Sequence, residues 1–85
     1  MINDFEAWEE LIRKHFLVSP KLMLDWTSTS DILSALQEGE ELRRWNVRAI
    51  SMKLSRWLPH MGAKRVKRRN SQGRPVWGYY GVRHI

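Results

Sequence analysis

Cysteine is absent from the 85 residues. That excludes a disulfide framework and a thiolate zinc site, and it suits a reducing compartment such as the cytoplasm. Long apolar runs are missing as well: no stretch nears the ~18 residues of a membrane span, and the start at Met1 shows no basic-then-apolar leader. A cytoplasmic location without membrane association is the expectation. A third absence is local. Residues 43–85 hold no Asp or Glu, yet they hold twelve of the 15 Lys and Arg: Arg43, Arg44, Arg48, Lys53, Arg56, Lys64, Arg65, Lys67, Arg68, Arg69, Arg74 and Arg83. All nine acids lie in residues 1–42, against Arg13, Lys14 and Lys21, so a half of net −6 precedes a half of net +12. Scattered solubilising charge would not leave half a chain free of acids. A basic segment that keeps an apolar pattern is suited to docking on a polyanion.

What is present fits one small domain, residues 1–85, whose modest core leans on five Trp, two Phe and two Tyr. Asn3 with Glu6 makes a capping-box pattern, and Phe5, Trp8, Leu11, Ile12 and Phe16 follow at helical spacing. The first helix is expected over about residues 4–17, stopped by Pro20, with Glu9–Arg13 and Glu10–Lys14 as i,i+4 pairs. Residues 21–26 read as a brief strand or an extended connection. Thr27-Ser28-Thr29-Ser30-Asp31 is a dense capping signal for a second helix, about residues 30–37, burying Ile32, Leu33 and Leu36. Capping accounts for these hydroxyls better than phosphate binding does, because Asp25 and Asp31 would repel an anion.

After a connection around Gly39, Asn46 is a good N-cap for a third helix, about residues 47–61. Val47, Ile50, Leu54, Trp57, Leu58 and Met61 would face inward, and Arg48, Ala49, Met52, Lys53 and Arg56 outward. Pro59 loosens the last turn, and Gly62 is placed to end it in the left-handed conformation. A basic strand Lys64–Arg69, a turn Asn70-Ser71-Gln72-Gly73-Arg74 and an aromatic strand over 75–82 then read as a β-hairpin. Gly78 and Gly81 suggest a bulge or a close backbone approach.

Helix, short strand, two helices and a hairpin is the order of a small α+β winged helix-turn-helix: three helices plus a C-terminal wing, about residues 64–82. In such a fold the third helix enters the major groove of DNA. The expected contacts are Arg44, Asn46, Arg48, Ser51, Met52, Lys53 and Arg56 around that helix, and Lys64, Arg65, Lys67, Arg68, Arg69, Gln72 and Arg74 on the wing. Most of these cations would position rather than specify. They are expected to share one continuous surface centred on the third helix.

Trp45-Asn46-x-Arg48-Ala49-Ile50-Ser51, Leu54 with Trp57-Leu58, Gly62 before Lys64-Arg65, Gly73-Arg74, and Gly78-Tyr79-Tyr80-Gly81-Val82 together resemble a known pattern. It is that of the C-terminal winged-helix module of phage, plasmid and poxvirus-type primase-helicases, over about residues 27–84. The resemblance implies a DNA-docking module serving a ring ATPase or primase in replication of a phage or mobile element. The chain has no phosphate-binding G-x-x-x-x-G-K-[ST] loop and no primase-type acidic cluster, so any such activity lies on another segment or chain.

Catalysis is not expected. His15, His60 and His84 fall on three separate elements at no ligand spacing, so neither a metal nor another cofactor is implied. No strained nucleophile turn accompanies the serines. Two other binding modes fit the composition: a protein-interaction domain docking through its oppositely charged halves, or a single-strand or RNA binder stacking bases on Trp77, Tyr79 and Tyr80. For those aromatics, packing of the wing against the third helix is the simpler expectation.

Overall fold

The computed structural model describes residues 4–22 and 24–85; Asn3, and the capping box that rests on it, lie outside them. Helix α1 is Asp4–His15, with Trp8 and Ile12 buried and Phe5 and Leu11 packed at the core's edge. It ends short of residue 17 because the pattern changes period. Phe16, Leu17 and Val18 run buried, exposed, buried, and form strand β1, Phe16–Val18. The partner of β1 comes from the far end of the chain: β5, Val82–His84, pairs antiparallel with it through Phe16↔His84 and Val18↔Val82. Of the two expected i,i+4 pairs, Arg13 does approach Glu9 at 3.9 Å, whereas Lys14 reaches Glu41 at 3.3 Å instead of Glu10.

The stretch before the second helix is mostly turn, with the Leu22 N–H donating to the Ser19 carbonyl; strand β2 is only Trp26–Ser28. Helix α2, Thr29–Glu38, starts as the capping signal requires, the Asp31 N–H donating to Ser28 Oγ at 3.1 Å. Helix α3 is Val47–Trp57, opened by Asn46, whose Oδ1 accepts from the Arg48 N–H at 2.8 Å. Pro59 has no N–H to continue the ladder, so a single 3-10 turn, Pro59–Met61, follows, and Gly62 closes it at φ 101°. Among the expected inward residues of α3, Ile50 and Leu54 are buried and Trp57 half-buried, but Val47 is 48 % exposed. It stands on the first turn, ahead of the first buried side chain of the helix.

Strands β3, Lys64–Arg69, and β4, Pro75–Tyr80, pair antiparallel from Lys64↔Tyr80 to Arg69↔Pro75. Asn70 organises the turn between them, its Oδ1 accepting from the N–H groups of Gln72 and Arg74. The sheet order is β2-β4-β3, which makes the basic strand an edge and the aromatic strand central. The expected hairpin over about residues 64–82 therefore differs in two ways: its aromatic strand ends at Tyr80 and pairs on its other side with β2. Gly81, at φ 87°, breaks the aromatic strand, and its N–H donates to the Asp25 carbonyl at 2.8 Å. The chain then turns into β5 and joins β1.

The architecture is a small α+β fold of three helices with a three-stranded and a two-stranded sheet. Fully buried Ile12, Ile32, Leu36, Ile50 and Leu54 from the helices, with Leu58 just after α3, meet Phe16, Tyr79 and Val82 from the strands. Gly78 is fixed by a close approach: a Cβ there would lie 2.5 Å from both the Thr27 carbonyl oxygen and the Trp26 ring. Among the described residues no helix is long and apolar enough to cross a membrane.

Candidate nucleic-acid interface

Arg48, Ser51, Met52, Ser55 and Arg56 recur at helical steps of three and four, so they share the side of α3 opposite Ile50 and Leu54. All but the half-buried Ser51 are exposed, Met52 by 66 %. Ser55 Oγ donates to the Met52 carbonyl at 2.8 Å, which occupies its proton within the helix. The Arg56 guanidinium lies over the Trp57 ring at 4.7 Å. No acid occurs on this helix. Arg43 and Arg44 are exposed in the turn that leads to it, while the Asn46 carbonyl is committed to its cap.

Lys53 departs from the expected set. It lies off the stripe and turns toward α1, where its Nζ meets Asp4 Oδ2 at 2.8 Å. The hydrogen bond from Lys53 holds the Asp4 carboxyl below its ordinary range, partly opposed by desolvation. Arg83 is taken up in the same way by Asp25 at 2.8 Å. Two cations of the acid-free half thus pair with carboxylates of the acidic half.

The pleat decides where the other cations of the ribbon point, because successive strand residues face opposite sides. Arg65 and Lys67 stand opposite Tyr79 and Trp77 in register, and Arg69 opposite Pro75. Tyr79 is fully buried and its phenol is pushed up by that burial, with the Arg65 charge opposing. Its face of the sheet is the one the helices cover, and α2 lies against β2 and β4 there. Lys64, Val66 and Arg68 share the other face with Tyr80, Gly78 and Val76. The expected single continuous surface is therefore divided: Arg65, Lys67 and Arg69 on the helix side, Lys64 and Arg68 on the back.

Each group is fastened differently. Arg65 and Lys67 lie over the Trp77 ring at 4.2 and 5.1 Å. On the back, Arg68 lies over Trp26 at 5.2 Å and over Tyr80 at 5.8 Å, and the Trp26 Nε1–H donates to the Val66 carbonyl. At the tip, Arg69 donates to the Gly73 carbonyl at 3.1 Å, and Gln72 and Arg74 are exposed.

The three wing aromatics separate in the same way. Tyr79 fills the core and Tyr80 is half-buried on the back face, but Trp77 is 44 % exposed. Arg43, Trp45 and Val47 are exposed at the start of α3 although the expected contacts omitted them, and Trp77, expected only as a stacking platform for a single strand, is exposed as well. Spacing already places Ser55 on the Arg48–Met52 stripe; nothing local to the sequence shows where helical cover of β4 stops.

The histidines do not converge. His60 lies beside Phe5 and Trp57, and His84 stands edge-on to Phe16 at 5.0 Å. Among the described residues no group of three or more His, Asp or Glu is gathered as a metal site would require. Comparison of the chain with family models, with curated proteins and with solved structures finds no match.

Proposed function

We propose that the chain is a duplex-DNA-binding module of the winged helix-turn-helix type, placing α3 in the major groove and the β3–β4 ribbon on the sugar-phosphate backbone. The single observation that carries this is the stripe Arg48, Ser51, Met52, Ser55 and Arg56: exposed except for the half-buried Ser51, free of acids, and on the helix that follows α2 across the connection at residues 39–46. The winged reading is supported by the order α1, β2, α2, α3, β3, β4 and by the sheet order β2-β4-β3. The β1–β5 pair is an addition to that plan.

A major groove about 12 Å wide admits one helix. Arg48 and Arg56 are two turns apart on the stripe, and either can donate a fork of N–H groups to a guanine edge or a phosphate. Met52 between them offers an apolar contact for a thymine methyl. Arg65, Lys67, Arg69 and Arg74 supply backbone contacts that set register without reading sequence. A role as docking module for a replicative ATPase or primase rests on the motif resemblance alone.

The test is a fluorescence-anisotropy titration with duplex DNA at low and moderate salt. The double variant Arg48→Ala/Arg56→Ala should bind at least about tenfold more weakly, the scale of losing one good base contact. Unchanged affinity would reject this placement of α3. Retention on heparin that duplex DNA competes away separates a nucleic-acid partner from an acidic protein.

A further inference from the structure

Trp77 is the one wing aromatic that the fold leaves open. It shares a face of β4 with Tyr79, but two residues further toward the tip, where the helices no longer cover the sheet; Tyr79 is 1 % exposed and Trp77 44 %. Lys67 is its direct cross-strand partner, and the side chains of Arg65 and Lys67 both lie over its ring. Arg69 and Arg74 are exposed beyond it. An indole with two cations of the neighbouring strand over its ring, at the rim of a basic surface, gains little from a phosphate. Its π-face is matched by the face of a base, and the neighbouring cations neutralise the phosphates on either side of that base. Within a duplex those base faces are hidden by stacking. They are open only at an unpaired nucleotide.

We propose that Trp77, with Arg65 and Lys67, seats one unpaired base beside a duplex, so that the preferred ligand is duplex DNA carrying a single-stranded extension rather than blunt duplex. This rests on the reading above in which α3 holds the duplex. Tyr79 takes no part, being sealed in the core, and Tyr80 lies on the opposite face beneath Arg68.

The experiment compares three DNAs with one common duplex: blunt, extended by a short single strand, and extended by the same length of abasic sugar-phosphate. The intact protein should favour the base-bearing extension over both others by roughly tenfold, the scale of one base stacked on an aromatic side chain. Trp77→Ala should erase that preference and leave blunt-duplex affinity within about twofold. Trp77→Phe, which keeps a ring, should retain part of it.

Three results overturn the proposal: equal affinity of the intact protein for blunt and extended duplex, equal affinity for abasic and base-bearing extensions, or a Trp77→Ala loss uniform across all three. Should Trp77→Ala fail to fold, the abasic comparison on the intact protein and the Phe variant decide alone. If the intact protein binds none of the three, the duplex reading itself fails. If it binds blunt duplex without preferring the extension, only the seat for the unpaired base is lost.

Discussion

The division of β3 into two faces predicts that neighbouring cations will behave differently toward DNA. In the proposed binding mode a duplex held on α3 would meet Arg48 and Arg56 of the helix, Arg65, Lys67 and Arg69 of the helix-side face of β3, and Arg74 at the tip. Lys53 and Arg83 are already paired with Asp4 and Asp25. Lys64 and Arg68 point to the back of the sheet. Six phosphate-neutralising groups give a slope of log affinity against log salt near −5, since each contributes about −0.9 on B-DNA. Between 50 and 200 mM salt, affinity should then fall by about 10³.

The decisive comparison is Lys67→Gln against Arg68→Gln. The two are adjacent in sequence, equal in charge and both exposed. Lys67→Gln should flatten the slope by about 0.9 and Arg68→Gln should leave it unchanged. Both are measured by anisotropy titrations at four or more salt concentrations, with circular dichroism to confirm that each variant is folded. Equal flattening by the two variants would refute the assignment of faces. Flattening by Arg68→Gln alone would move the DNA to the back of the sheet.

Three further outcomes probe the fold that carries this surface. Gly78→Ala puts a Cβ 2.5 Å from the Thr27 carbonyl oxygen and the Trp26 ring, so it should cost about 2–3 kcal/mol in a urea melt; wild-type stability would mean that β2 yields freely. Leu54→Ala empties a fully buried position and should cost about 2–5 kcal/mol, whereas Met52→Ala on the open stripe should stay within about 0.5 kcal/mol. The Asp4 carboxyl is depressed in the folded state, so the unfolded chain takes up its proton first as pH falls. The stabilisation from the Asp4–Lys53 pair is present above the ordinary carboxylate range and is lost as pH drops through and below it. Asp4→Asn should therefore flatten the acid limb of the thermal-stability profile, and identical limbs would show that the pair contributes nothing.

Where local chemistry decides, the sequence was sufficient. Ser28 and Asn46 cap the helices they precede, Gly62 ends the turn after Pro59, and Asn70 closes the connection between β3 and β4. Each of these depends on residues within five positions of one another. Pairing across long separations was not legible. Phe16–Val18 reads as the tail of a helix until β5 arrives from residues 82–84, and a three-residue alternation is too short to announce a strand. Lys53 looked like any outward cation until α1 brought Asp4 to it, 49 residues away. The parity of β3 was available in principle, but its meaning depended on knowing that Tyr79 points inward. A stretch in which five of six residues are cationic has no apolar alternation of its own from which to read that.

A basic edge strand has a second physical use, and it bears on how much weight the charge can carry. An exposed edge is a template for pairing with another chain, and charged side chains along it suppress that pairing. β3 is such an edge, so some of Lys64, Arg65, Lys67, Arg68 and Arg69 would be expected whatever the function. Edge protection is indifferent to sign, however, and a mixture with Glu would serve it with less self-repulsion. It also makes no demand on the turn at 70–74 or on α3, which are equally free of acids. The carboxylates of the first half tell the same story from the other side. Asp4 and Asp25 form salt bridges with cations at the margins, Lys53 and Arg83, and the Arg56 charge also acts on Asp4. Uniform sign across a helix, a turn and one strand face is what docking on a polyanion would favour and what edge protection leaves unexplained.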